Sequence, residues 1–144
     1  MSDTAPRSID RAAYALWAQD RLRYADTDRQ GHINNAVFAT FLETGRVAFL
    51  YNPAALLAPP GCEFVIARLT IDFRAELRWP GTVDIGSVIL KIGRSSVTIG
   101  QAVFGGDRCA ATAETVVVLT DETTRRSTAL PDALRARLAA LAAP

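Results

Sequence analysis

Between Tyr24 and Glu43 the chain reads YADTDRQGHINNAVFATFLE, and this is where chemistry-bearing residues concentrate. Asp26, Asp28 and Asn34 crowd a short polar stretch, with Gly31 among them to permit a tight turn or a close backbone approach. The stretch leads directly into the apolar, proline-free run from Ala36 to Leu50. A helix opening there offers free N–H groups and the positive end of its dipole, which suit an anion or a polarised carbonyl oxygen. A carboxylate held beside them can attack that carbonyl or activate a water. The N–H donors then stabilise the developing oxyanion. Such an arrangement suits acyl transfer, and Asn34-Asn35 offers two cap-type residues at the helix start.

Each residue also has a plainer reading. Asp28 can serve only as a turn acceptor. Asp26 should point away from Asp28 if the segment is extended, which makes it a structural acid. His32, the only histidine of the chain, acts as a general base only with an orienting partner, and otherwise packs in the loop or bonds backbone. Glu43 lies eight residues past Asn35, just over two helical turns, on a small polar face with Thr40 and Thr44. As a buried carboxylate it would need a partner. It would then place the substrate or the lytic water, or else satisfy backbone groups or an arginine across a dimer.

The elements that must position these residues follow from periodicity. Residues 16–24 alternate in part and predict a strand, and 25–34 a loop. Residues 36–50 predict about four turns of helix whose apolar side chains run nearly all the way round, so that most of its circumference should be buried. Asn52-Pro53 and Pro59-Pro60-Gly61 mark a connection. Strands are expected over 63–77, 83–92, 97–104 and 108–120, following one another through short turns and therefore antiparallel. A polar linker at 121–128 precedes a short helix over 131–142, opened by Pro131. One strand, one greasy helix and four long strands describe an α+β domain of the hot-dog type, a long antiparallel sheet wrapped around a central helix. The domain is expected to span 1–144 with its core at 16–120. A single copy leaves a sheet edge and part of the helix uncovered, so a homodimer is expected.

The string Asp26-Thr27-Asp28-x-x-Gly31-His32-x-Asn34-Asn35, followed by an aromatic at Phe38 and an acid at Glu43, resembles the 4-hydroxybenzoyl-CoA thioesterase family of hot-dog acyl-CoA thioesterases. In element order the resemblance runs from Leu16 to Thr120. It implies that Asp28 is the catalytic carboxylate, as nucleophile or general base, and that the backbone N–H of Asn35 is the oxyanion donor. Several relatives carry Tyr or His where this chain has Asn35. A backbone donor does not depend on that side chain, but a hydroxybenzoyl-specific pocket does not carry over. The resemblance also implies an acyl-CoA substrate, no resident cofactor or metal (coenzyme A being part of the substrate), an active site at a dimer interface, and dimers that often pair again into tetramers.

Coenzyme A carries phosphates, and Lys91, Arg94, Ser95 and Ser96 form a local cluster of cations and hydroxyls at a strand end that suits them. The plain alternative is a solvated hairpin tip. Arg74 and Arg78, flanking Trp79-Pro80-Gly81, are weaker candidates. The remaining composition excludes rather than assigns. Sixteen Lys plus Arg against fifteen Asp plus Glu give a net charge of +1 and no broad basic surface for nucleic acid. Two cysteines and one histidine make neither a disulfide scaffold nor a zinc site. The first ten residues lack the apolar core of a signal peptide, and no segment is long and apolar enough to span a bilayer. The expectation is a cytoplasmic protein without membrane partners. Two rivals use the same fold. An acyl-thioester dehydratase or hydratase would use an Asp–His pair on a different loop. A non-catalytic module would only hold acyl groups.

Overall fold

A computed structural model describes residues 8–142. Its strands are β1 (Leu16–Leu22), β2 (Cys62–Phe73), β3 (Gly81–Ile92), β4 (Ser96–Gly105) and β5 (Arg108–Asp121), and its helices α1 (Asn35–Leu50) and α2 (Asp132–Ala140). All four strand pairings are antiparallel, in the order β1-β3-β4-β5-β2. The long helix lying on this five-stranded sheet is the hot-dog architecture expected from the element order.

The pleat of β4 explains why a sheet forms here. Val97, Ile99 and Val103 join the α1 side of the sheet, while Ala102 and Phe104 pack with Tyr14 and Val88 in a separate cluster. Both faces of β4 are therefore buried, and its sequence is accordingly apolar almost throughout. Gly106, at φ +62°, makes the tight connection from β4 to β5. α1 lays Phe38, Phe41 and Leu42 against Ile85, Val103 and Ala113. Gly45 allows this close seating, because a Cβ there would come within 2.5 Å of Ile85 Cγ2.

Four expectations are corrected. The polar side of α1 is wider than its composition implied: Ala36, Thr40, Glu43, Val47 and Ala48 are all exposed, so the sheet covers one face and not most of the circumference. Strand β1 ends at Leu22, and Tyr24–Asp26 is a single 3-10 turn closed by Asp26 Oδ2 accepting from Arg23 N at 2.9 Å. β2 stops at Phe73 and does not neighbour β3. It lies at the far edge beside β5, and residues 74–80 cross the end of the sheet. The N–H groups of Arg74 and Ala75 both donate to Ala110 O there, at 2.8 and 3.1 Å. Finally, α2 runs only from Asp132 to Ala140, with Pro131 in the capping position before it. Among the described residues no helix is long and apolar enough to cross a membrane.

Candidate active site

The loop between β1 and α1 is tied by its own backbone. Asp28 N donates to His32 O at 2.7 Å and Gly31 N to Asp28 O at 3.0 Å. Gly31 sits at φ +82°, a conformation that costs other residues steric energy. Asp28 Oδ1 accepts from Gln30 N at 2.9 Å and His32 N at 3.1 Å. Its Oδ2 has no hydrogen-bond partner among the described residues. The plain reading of Asp28 as a turn acceptor thus accounts for one oxygen and leaves the other open. Asp26 instead serves the 3-10 turn, and its carbonyl accepts from Asn34 N at 2.8 Å.

Buried Ile33 anchors the loop by donating its N–H to Leu77 O at 2.8 Å. The helix then starts one residue earlier than its apolar run. Asn34, and not Asn35, is the N-cap: its Oδ1 accepts from Ala36 N at 2.9 Å and its carbonyl from Val37 N at 2.9 Å. Asn35 is the first helical residue, and its own N–H has no partner among the described residues. Of the first three amides of α1, it alone is left open.

Asp28 and Asn35 line one cleft of about 300 Å³ together with His32, Phe38, Phe73, Arg74 and Glu76. Phe38 is buried and Phe73 half exposed, with ring centroids 5.3 Å apart, so one wall is aromatic. Arg74 Nε donates to Thr112 Oγ1 at 3.2 Å, which holds the guanidinium beside the strands. His32 does have an orienting partner. Its Nε2 lies 3.1 Å from Glu76 Oε2 and 2.9 Å from Arg78 Nη2. A protonated Nε2 donates to Glu76, and a bare one accepts from Arg78. Sequence reasoning left Glu76 unmentioned and ranked Arg74 and Arg78 low. Their link to the loop depends on the crossing at 74–80, which no local pattern signals.

The other candidates lie elsewhere. Glu43 is exposed and outside this cleft, about 12 Å along the helix axis from Asn35. The expectation of a buried carboxylate fails because the polar face of α1 is the one turned away from the sheet. Lys91, Arg94, Ser95 and Ser96 sit at the β3–β4 hairpin, with Lys91 and Arg94 exposed. Ser96 stands opposite Val118 on β5, whereas Arg74 is fastened to Ala110 of the same strand. Those eight residues of strand correspond to roughly 26 Å. Within one chain, the cation cluster and the cleft are therefore at opposite ends of the sheet.

One buried feature went unread in the sequence. Arg46 Nη1 donates to Gln101 Oε1 at 3.3 Å, and Gln101 Nε2 donates to Leu42 O and Ser87 Oγ, both at 3.0 Å. Burial lowers the Arg46 pKa, and the field of Glu43 opposes that fall. A larger hollow of about 470 Å³, between β1, the second half of α1 and α2, is lined by Leu16, Trp17, Phe49, Leu57 and Leu141 among others. It contains no acid or histidine, so size alone does not make it the reactive site. Among the described residues no group of three or more His, Cys, Asp or Glu could hold a metal ion.

A family model described as the thioesterase-like superfamily matches residues 22–138. The chain is 26% identical over 119 residues to an acyl-CoA thioester hydrolase, YbgC, of Escherichia coli, covering 79% of this chain and 88% of that protein. A thioesterase of Thermus thermophilus, solved with coenzyme A and zinc, superposes with a TM-score of 0.78 at 28% identity, covering 90% of this chain and 95% of that one. The PA5185 protein of Pseudomonas aeruginosa superposes at 0.81 with 27% identity, over 92% and 95% of the two chains.

Proposed function

We propose, for a chain that belongs to the thioesterase-like superfamily, that Asp28 and the Asn35 N–H together hydrolyse acyl-CoA thioesters. The acyl-CoA thioester hydrolase and the thioesterase solved with coenzyme A among the chain's relatives support a thioesterase that takes a coenzyme A ester as substrate. The observation that carries the residue assignment is the pairing, in one cleft, of a carboxylate oxygen and a helix-opening amide that are both unbonded among the described residues.

In this reading the thioester oxygen lies on the Asn35 N–H, where the helix dipole and the donor stabilise the oxyanion. Asp28 Oδ2 either attacks the carbonyl carbon or takes a proton from an attacking water. In the first case the C–S bond breaks as coenzyme A leaves, and water cleaves the resulting anhydride. In the second, water supplies the hydroxyl of the acid and its proton ends on the thiol. Oδ1 stays on its two amides throughout, which fixes the carboxyl plane. Phe38 and Phe73 receive the acyl group. His32, held by Glu76 and Arg78, sits beside the departing thiolate and steadies the loop. Gly31 supplies the turn.

The enzyme works as a homodimer in the cytoplasm, with no resident cofactor. Free Cys62 and Cys109 agree with a reducing compartment. The Lys91, Arg94, Ser95 and Ser96 hairpin then binds coenzyme A phosphates from the neighbouring chain, because its own cleft is too distant. Asp28→Asn tests the core of this reading. Its amide oxygen keeps both backbone bonds, so the melting temperature should hold while thiol release falls about 10²–10⁴-fold. Undiminished turnover by the folded variant removes Asp28 from the mechanism. Saturated and enoyl-CoA esters run in parallel separate hydrolysis, read as free thiol, from hydration, read as lost enoyl absorbance.

A further inference from the structure

The hollow of about 470 Å³ between β1, the second half of α1 and α2 shares no lining residue with the Asp28 cleft. Its size falls in the range of small-molecule sites, roughly 300–1,000 Å³. Leu57 is buried at its wall, with Phe49 and Leu141 half-buried beside it. Gly45 and Ala48 on α1 and Ala140 on α2 leave the room, since none has a side chain long enough to close the gap. Trp17 of β1 is 41% exposed along the rim. Its Nε1–H is already given to Tyr14 O at 3.2 Å, so the indole offers apolar surface and no free donor.

Arg137 is the one charged side chain in the lining. Its Nη1 donates to Leu56 O at 2.8 Å and its Nη2 to Ala55 O at 3.1 Å. Two carbonyls on the adjoining loop thus hold the guanidinium in place without neutralising it, and Arg137 forms no ion pair among the described residues. The rest of its N–H fork is unbonded there, in the geometry that a carboxylate accepts. Asn52, also at the rim, accepts from Ala54 N at 2.9 Å through Oδ1, and its Nδ2 has no hydrogen bond among the described residues. The lining therefore presents a fixed cation and an amide donor at its edge, an apolar interior, and no acid. An amine finds no counter-charge in such a site. A body rich in hydroxyls or ring nitrogens finds partners only at the rim, and burying the rest of them is costly. An anionic head on an apolar tail satisfies every part of it.

We propose that this hollow binds a free aliphatic carboxylic acid, its carboxylate on Arg137 and Asn52 and its chain laid over Phe49 and Leu57 beneath the face of Trp17. A carboxylic acid is also the product of the hydrolysis proposed above. The site uses none of the residues of that cleft, however, and does not depend on that reading.

Titration calorimetry of hexanoate, octanoate and decanoate into the full chain, below their micelle points, tests it. Affinity should rise about fourfold for each methylene that the hollow buries. Decanol, which has the same chain and no charge, should bind about tenfold more weakly than decanoate. Arg137→Gln should bring decanoate down to the level of decanol. Ala48→Trp places an indole in the hollow and should abolish the binding of both. Should Ala48→Trp not fold by circular dichroism, Ala140→Trp fills the same space from α2. No heat with decanoate, equal affinity for all three acids, or a preference for decanoate that survives Arg137→Gln overturns the proposal. Binding that survives the filled hollow but is lost in Phe73→Ala lies in the Asp28 cleft, and overturns it too. These readouts are heats of binding, so they stand whether or not Asp28 hydrolyses thioesters.

Discussion

The first and third turns of α1 both carry polar groups against apolar surroundings, and they treat them in opposite ways. At the first turn Asn34 takes the amides of Ala36 and Val37 and leaves open that of Asn35, a residue that lines a cleft. At the third turn Gln101 reaches across from β4 to the Leu42 carbonyl, to Ser87 and to Arg46, and ties the helix to the sheet. An open donor contributes little to stability but is ready for a charge that appears during reaction. A buried network that bonds helix to sheet contributes rigidity. In the proposed reading one helix therefore separates reactivity from strength by about two turns.

Substitutions can break this contrast. The largest effect beyond Asp28 should come from Asn35→Pro. Proline is well tolerated at the first helical position, and Asn34 already has the extended backbone that a following proline requires. The change removes the open N–H together with the Asn side chain, and kcat for thioester hydrolysis should fall about 10²–10³-fold with the melting temperature nearly constant. Asn35→Ala should keep most activity, and a loss equal to that of the proline variant would shift the role to the side chain.

Gln101→Leu should behave the other way. It orphans Ser87 and removes the stronger of the two Arg46 bonds, costing about 2–3 kcal/mol in denaturant unfolding while folded enzyme keeps its kcat. Gly45→Ala sharpens the same point, since its methyl would strike Ile85 and Gln101, at about 1–3 kcal/mol. Asn34→Ala is the mixed case. Loss of the cap should cost about 1 kcal/mol and free the Ala36 amide, with a modest fall in kcat as donors compete for the oxyanion. The smallest effect is expected from Arg94→Ala: KM should rise several-fold for coenzyme A esters and stay level for short thioesters lacking the nucleotide.

What was legible in the sequence follows the same division. Alternation marked β3, β4 and β5 to within a residue or two, and the Asp28-to-Asn35 string marked the cleft, because strand pleat and loop chemistry are written in consecutive residues. The wrong turn at β2 had a different origin. Residues 63–73 read correctly as a strand, but which strand it pairs with is decided by Ile71 meeting Ala113 and Phe64 meeting Leu119, contacts that no window of neighbours contains. Glu76 and Arg78 at His32, 44 and 46 residues away, and Gln101 at Arg46, 55 residues away, were illegible for the same reason. The exposure of Glu43 was misjudged because counting apolar positions around a helix does not reveal which arc the sheet covers.

The seven residues that carry the chain from β2 back to β3 do more than connect. They belong to no strand, yet Arg74 and Glu76 line the cleft that holds Asp28 and Asn35, and the Leu77 carbonyl accepts from Ile33 of the loop before α1. Grafting crossings of different length and composition at this point would give an engineer a dial for acyl preference that leaves the scaffold's hydrogen-bond ladders untouched.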